Sequence, residues 1–353
     1  MTRRRLLWIG SYTPDSGIAG HAAGVQRVWF DTDTAALSKA ELAAPASGPS
    51  FVVPATDQTM VYAVNELAAG RVTAFAVHDT QQLTEAGSAI TGGSYPCHLL
   101  YHPAGRHLIV ANYGDGSVSV HALDPAGVPT APVQRLTHTG AGPRTDRQEG
   151  PHAHSVYVAP GGTHLLVVDL GTDELRCFPF APEADQPAGP QHIAARLEPG
   201  SGPRHLAIHS SGHLYVAGEL DSRVYVLRFD PATAQAEILD AVPATGAADD
   251  NYPAEIALSA DERRLYVANR GADTIATFEV SADGTRIRRL ADTPTGGAWP
   301  RHFALVDGYL VVANQNSETL TVLPIDAESG IPGPACSTLD LPTPVCVLPA
   351  AVE

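Results

Sequence analysis

Positive charge is scarce in this chain. It has 22 Lys and Arg against 38 Asp and Glu, a formal net charge of −16 over 353 residues. A nucleic-acid binder displaces counterions with a basic surface, so that partner class is not expected. The same deficit argues against an anionic membrane. Cysteine is also sparse. Cys97, Cys177, Cys336 and Cys346 stand far apart, with no CxxC or zinc-type spacing. That usage fits a reduced, cytoplasmic protein. The apolar run near the start, Leu6–Ile9, stops at Gly10 and is too short for a signal-peptide core. No stretch approaches the length of a membrane-spanning helix. Aromatics make up only 6% of residues. No run of helical period is long enough to compete with period-2 alternation.

Glycine and proline, in contrast, are plentiful, with 32 and 29 residues spread evenly. Such spreading marks frequent turns rather than disorder. The turns punctuate a repeat. "GPSFVVPATDQTMVYAVNELAAGRVTAFAV" from Gly48 has relatives that begin at Tyr95, Gly150, Gly200, Tyr252 and Trp299. Each carries a proline, a short apolar strand, a turn, a β-rich strand, a small polar step and a third alternating strand. The anchoring prolines are Pro49, Pro96, Pro151, Pro203, Pro253 and Pro300, spaced by 47, 55, 52, 50 and 47 residues. Pro344, 44 residues on, starts a unit that the C-terminus cuts short. Its missing strands are available at the N-terminus in "RLLWIGSY" and "GVQRVWFD". Seven units of about four strands predict an all-β, seven-bladed β-propeller whose last blade is closed by N- and C-terminal strands. Residues 1–353 are expected to form one propeller domain, because no unit buries both faces of its own sheet alone. "DPAGVPTAPVQ", "APEADQPAGPQ" and "TGAADDN" are read as rim loops between units.

Within a blade the first two strands run antiparallel, so the start of one and the end of the other share an edge. Around the ring these positions converge on one mouth of the central channel. After the prolines come Ser50, Cys97, His152, Arg204, Ala254, Arg301 and Val345. At the ends of the second strands come Ser11 or Tyr12, Glu66, Tyr113, Leu170, Glu219, Arg270 and Gln315. Blades three to six thus bring a histidine, three arginines and a glutamate to one opening. Glu255 is a secondary candidate. Guanidinium forks suit carboxylate or phosphate. Histidine exchanges protons near neutrality. A glutamate raised by burial serves as an acid. These groups suffice to hydrolyse or form a lactone without metal or cofactor, with arginine neutralising the oxyanion.

Each residue also has a plainer reading. Arg204 and Arg301, both in "PRH", pair with a neighbouring blade's carboxylate as a structural clamp, with Glu219 as the clamp's partner, and Arg270 is a solvated turn residue. His152 and His154 share a strand face, but no third ligand is near in sequence, so zinc is not expected. His98, His205 and His302 serve packing. The recurrent Asn65, Asn112, Asn269 and Asn314 stabilise turns. The loop "GAGPRTDRQEG", with Arg144, Arg147 and Glu149, is either a lid or solvated. No P-loop, HExxH, GxSxG or dinucleotide fingerprint is present.

"GPHAHSV", "GSGPRHLAIH" followed by "AGEL", "LYVANR" and "WPRHF" resemble the seven-bladed propeller lactonases over nearly the whole chain. That family includes cycloisomerase-type 6-phosphogluconolactonases and 3-carboxy-cis,cis-muconate lactonizing enzymes. The resemblance implies a histidine at His152, with His154 second, arginines at Arg204 and Arg270, and a glutamate at Glu219. Arg301 matches a "PR" motif of the phosphogluconolactonase branch. Gly218 stands where the family usually has Asn. His154, Glu66, Gln315 and Tyr113 are expected to contact substrate. The expected activity is metal-independent hydrolysis of an acidic sugar lactone, 6-phosphogluconolactone first, by a monomer or homodimer. Muconate cycloisomerisation, a non-catalytic binding propeller and a calcium-dependent six-bladed lactonase are the alternatives.

Overall fold

In a computed structural model of the chain, which describes residues 4–78, 81–247 and 250–350, every regular element is a β-strand. The strands form seven sheets. Six are four-stranded and follow chain order, for example Pro203–Ile208, His213–Gly218, Arg223–Asp230 and Gln235–Pro243. The seventh is assembled from both ends of the chain. Pro344–Pro349 is its innermost strand and pairs with Arg4–Ser11, which pairs with Gly24–Asp31. Ile9 lies opposite Val347 and Gly10 opposite Cys346, so the closure is continuous backbone pairing. The protein is a seven-bladed β-propeller, and its termini meet in one blade, which removes two exposed sheet edges.

The core lies between blades. Side chains alternate along a strand, so each second strand sends one set to the preceding blade and one to the next. In Arg4–Ser11, Leu6 and Trp8 pack with Val61, Ala63 and Phe75 of blade one. Leu7 and Ile9 pack with Val311, Leu320 and Val322 of blade six. Seven apolar clusters fill the seven interfaces, each built from two neighbouring blades. A lone blade would leave both faces in water, which is why the repeat requires a ring.

The structure corrects two of the expected rim loops. "DPAGVPTAPVQ" contains most of the outer strand Pro129–Leu136. "APEADQPAGPQ" connects the third and fourth strands of blade three, Glu174–Pro179 and His192–Arg196, rather than two blades. "TGAADDN" does connect blades four and five, and part of it lies outside the described residues.

A β-bulge recurs at the mouth end of the inner strands. The register shifts between Pro96 and His98, Pro203 and Leu206, Pro253 and Ile256, and Pro300 and His302. An extra residue on one strand re-aims its side chains. Two consecutive residues therefore serve the channel in these blades, one at the mouth and one deeper. The deeper set is an aromatic plug. Phe51 and His98 stand 4.4 Å apart, His98 and His205 5.3 Å, and Phe51 and His302 5.8 Å, centroid to centroid. His205 Nδ1 meets Glu255 Oε2 at 2.8 Å. His98, His205 and His302 thus pack, as expected, and Glu255 belongs to the plug.

Candidate active site

Above the plug opens a cavity of about 520 Å³. Its charged floor comes from the mouth positions: Glu66, His154, Glu219, Arg270 and Arg301, with Tyr113 and Cys97. Arg204 lies beneath, lining a smaller enclosed space of about 10 Å³ that shares Glu66, Cys97 and Arg301 with the cavity.

Glu219 is the electrostatic centre. One carboxylate oxygen accepts from Arg147 Nη2 at 2.6 Å, the other from Arg270 Nη2 at 2.7 Å. Arg204 Nε lies 3.1 Å from that second oxygen, but its direction is wrong for a hydrogen bond, so Nε and Nη1 are buried without acceptors. Burial favours the neutral acid, but Arg270, Arg204 and Arg147 outweigh it and hold Glu219 well below the usual carboxylate range. One negative charge shared by three guanidiniums satisfies none of them fully. Burial, then Arg270 and Arg301, brings Arg204 down to about 9, so it is still a cation at neutral pH. Arg270 is pinned further, by Nε to the Tyr252 carbonyl at 3.0 Å and by its position over the Trp299 ring. Arg301 makes no hydrogen bond or ion pair among the described residues; its guanidinium lies 5.2 Å from the Tyr12 ring centre.

The histidine is the main correction. Pro151 does not occupy the anchoring position of its blade. Where Pro203 faces Gly218 and Pro300 faces Asn314, blade three places Ala153 opposite Asp169. The residue equivalent to Arg204 and Arg301 is therefore His154, not His152. His154 lines the cavity and its Nε2 makes no hydrogen bond within the described residues. Burial, reinforced by Arg204 and His205, holds its imidazole well below 6.5 and neutral. His152 is stacked on Tyr113 at 4.6 Å, donates Nδ1–H to the Tyr113 carbonyl at 2.8 Å, and is absent from the cavity lining. Gln315 is also absent from the lining; its backbone N–H donates to Trp299.

Sequence reasoning left Arg147 undecided between lid and solvent. Blade three has apolar Leu170 at the second-strand position, and the preceding loop is fastened there. Gln148, fully buried, donates to the Leu170 carbonyl and to Asp173. Arg144 reaches the Leu220 carbonyl. The fastened loop delivers Arg147 to Glu219. The aromatic wall, Tyr95, Tyr252 and Trp299, was missed altogether. Tyr95 and Trp299 precede anchoring prolines and hold φ at +49° and +63°. Bulky residues rarely adopt that region, and strain of this kind concentrates at functional sites. Glycine at the corresponding positions, Gly48 and Gly202, was the available signal.

Gly218, the departure from the family Asn, lies close to the Asp221 side chain, which must shift if a larger residue stands there. A Cβ there would meet Asp221 Oδ1 at 2.3 Å. Asp221 accepts from Tyr225 at 2.5 Å. At the recurrent asparagines the side chain bonds nearby groups instead, as Asn65 does to the Ser47 carbonyl and Asn269 to the Ala244 carbonyl.

Acid should destabilise this site early. Burial holds His98, His154 and His205 well below 6.5 in the fold. Below pH ~6.5 the unfolded chain binds protons that the folded chain refuses, so stability falls with pH by about 1.4 kcal/mol per unit for each such group. Glu219 adds a further loss below about pH 4.5, its unfolded value. Glu66 and Glu255, raised by burial, oppose the trend in part. The urea midpoint at pH 5.5 is expected to lie well below that at pH 7.5; equal midpoints contradict this electrostatic picture.

Among the described residues no three His, Cys, Asp or Glu side chains converge to hold a metal ion. Among the described residues no helix is long and apolar enough to cross a membrane. The family model "Lactonase, 7-bladed beta-propeller" matches residues 6–349. A 6-phosphogluconolactonase of Bacillus subtilis is 31% identical over 348 residues, covering 96% of this chain and 97% of its own. One from Pectobacterium atrosepticum is 31% identical over 266 residues, covering 74% and 76%. The solved structure of a periplasmic gluconolactonase from Pseudomonas aeruginosa superposes with a TM-score of 0.91 at 30% identity, covering 99% of this chain and 100% of that one. Fold and relatives agree: this chain belongs to the seven-bladed β-propeller lactonase family.

Proposed function

We propose that the chain hydrolyses an acidic sugar lactone without a metal ion, and that 6-phosphogluconolactone, opened to 6-phosphogluconate, is its first substrate. One observation carries this reading. Two guanidiniums have donors unspent on protein: Arg301, which lines the cavity with the neutral His154, and Arg204, directly beneath in the small space that Arg301 also borders. Unspent buried cations are costly, and an anionic ligand relieves that cost. Arg270 and Arg147 are already engaged and serve to hold Glu219 in place. An anionic substrate group and the developing oxyanion fall to Arg204 and Arg301. His154 Nε2 offers a lone pair that orients the attacking water. The aromatic wall faces the apolar side of a sugar ring. Glu219 stays ionised and is a positioning residue.

Every cavity residue comes from one chain, so a monomer or a homodimer serves the reading equally. Four unpaired cysteines, three of them buried, suit the cytoplasm. The test is a panel of 6-phosphogluconolactone, gluconolactone and a carboxymuconate, followed by pH-stat with and without chelator. The expected result is chelator-insensitive turnover, with kcat/KM for the phosphorylated lactone about 10²-fold above that for the neutral one, since charge-assisted bonds contribute about 1.5–3 kcal/mol each. No turnover of any acidic lactone overturns the proposal. Muconate turnover alone moves it to cycloisomerisation.

A further inference from the structure

Lactone opening must move a proton twice, off the attacking water and onto the departing ring oxygen. Neither Glu219 nor His154 is suited to it. Glu219 is held ionised by three guanidiniums. Protonated His154 would place a fourth cation among Arg204, Arg270 and Arg301.

A second carboxyl lines the same cavity. Glu66 ends the second strand of blade one, at the position Glu219 holds in blade four. It is buried, and both oxygens are addressed by neutral donors: Ser50 Oγ at 2.5 Å and Tyr12 Oη at 3.1 Å. Among the described residues no guanidinium is bonded to it. Arg301 faces it from blade six while lying over Tyr12, Arg204 acts on it from blade four, and Cys97 shares its pocket from blade two. Glu66 also borders the small space beneath the cavity, together with Cys97 and Arg301, so its carboxyl stands on the floor of the cavity.

We propose that Glu66 is the catalytic proton carrier of the hydrolysis. This rests on the lactonase reading above. As water oxygen bonds to the carbonyl carbon, a water proton passes to the Glu66 carboxylate and the carbonyl π pair moves onto oxygen, beside the free guanidiniums. On collapse that pair re-forms the carbonyl. The ring C–O bond breaks, its electrons go to the ring oxygen, and Glu66 returns the proton there. Lactone and water become hydroxy acid, and the carboxylate is regenerated. Burial raises Glu66 above the usual carboxylate range against the pull of Arg301, which brings its proton affinity nearer working pH. Tyr12 is a positioning residue; its hydrogen bond favours the ionised form.

The experiment compares Glu66→Gln, Glu66→Asp and Tyr12→Phe on the lactone that the parent protein turns over best. Gln keeps size and the contacts to Ser50 and Tyr12, with one hydroxyl turned to accept from the amide N–H. Its kcat is expected to fall about 10²–10⁴-fold, with KM changed less than about threefold and with product binding retained in calorimetry. The parent's rising acid limb in kcat against pH should vanish in Gln, persist in Asp, and move to higher pH in Tyr12→Phe. An active parent whose Glu66→Gln form keeps kcat and the acid limb overturns the assignment but spares the lactonase reading. A parent inactive on every lactone overturns both.

Discussion

Arg204→Met should unfold at a higher temperature than the parent protein while losing about 10²–10³-fold in kcat/KM. The two effects have one cause. Arg204 is almost fully buried, with Nε and Nη1 lacking acceptors and Arg270 and Arg301 as cationic neighbours. Folding therefore works against its charge, and methionine, similar in length, removes both the unmet donors and the repulsion. Unmet buried polar groups cost about 1–3 kcal/mol, which for a chain of this size is a few degrees in Tm. Glu219 keeps two guanidinium partners, so little stability is lost in exchange. What disappears is the donor proposed above for the oxyanion. A lower Tm for Arg204→Met would show that the residue is the interblade clamp of its plainer reading.

Glu219→Gln is expected to act in the opposite direction on stability. The amide is nearly isosteric, yet it leaves Arg147, Arg204 and Arg270 around a neutral group in a buried place. Removing one partner from a buried ionic cluster costs about 3–5 kcal/mol. The denaturant midpoint should drop with the slope unchanged. Activity should fall as well, since Arg147 and Arg270 lose the anchor that fixes them. The double variant with Arg204→Met should recover part of the loss, because one surplus cation is gone. Strict additivity of the two changes would contradict a shared electrostatic centre.

The two predictions separate functions that the sequence runs together. "PRH" and "GEL" look like one clamp in the chain. In three dimensions Glu219 is the clamp, fastening Arg147 of loop 140–150 and Arg270 of blade five to blade four, and Arg204 is the cation that the clamp leaves over. Glu66, placed by sequence among the binding residues, differs from Glu219 in what touches its oxygens: two hydroxyls, with Arg301 and Arg204 further off, rather than three guanidiniums.

The sequence by itself determined the propeller, the split last blade and the edge on which Arg204, Glu219, Arg270, Arg301 and Glu66 meet. It could do so because alternation has a period of two and the blades one near fifty, and both are local counts along the chain. Only the tertiary structure decided that His154 rather than His152 reaches the cavity. Alternation puts both on one face, and the choice rests on Ala153 pairing with Asp169, a register that strand contacts set and no proline marks. Only the structure decided that Arg147 arrives from a loop and that Tyr95 and Trp299 build a wall. A loop has no period, and a strained φ is imposed by the packed ring around it rather than by the residue that bears it.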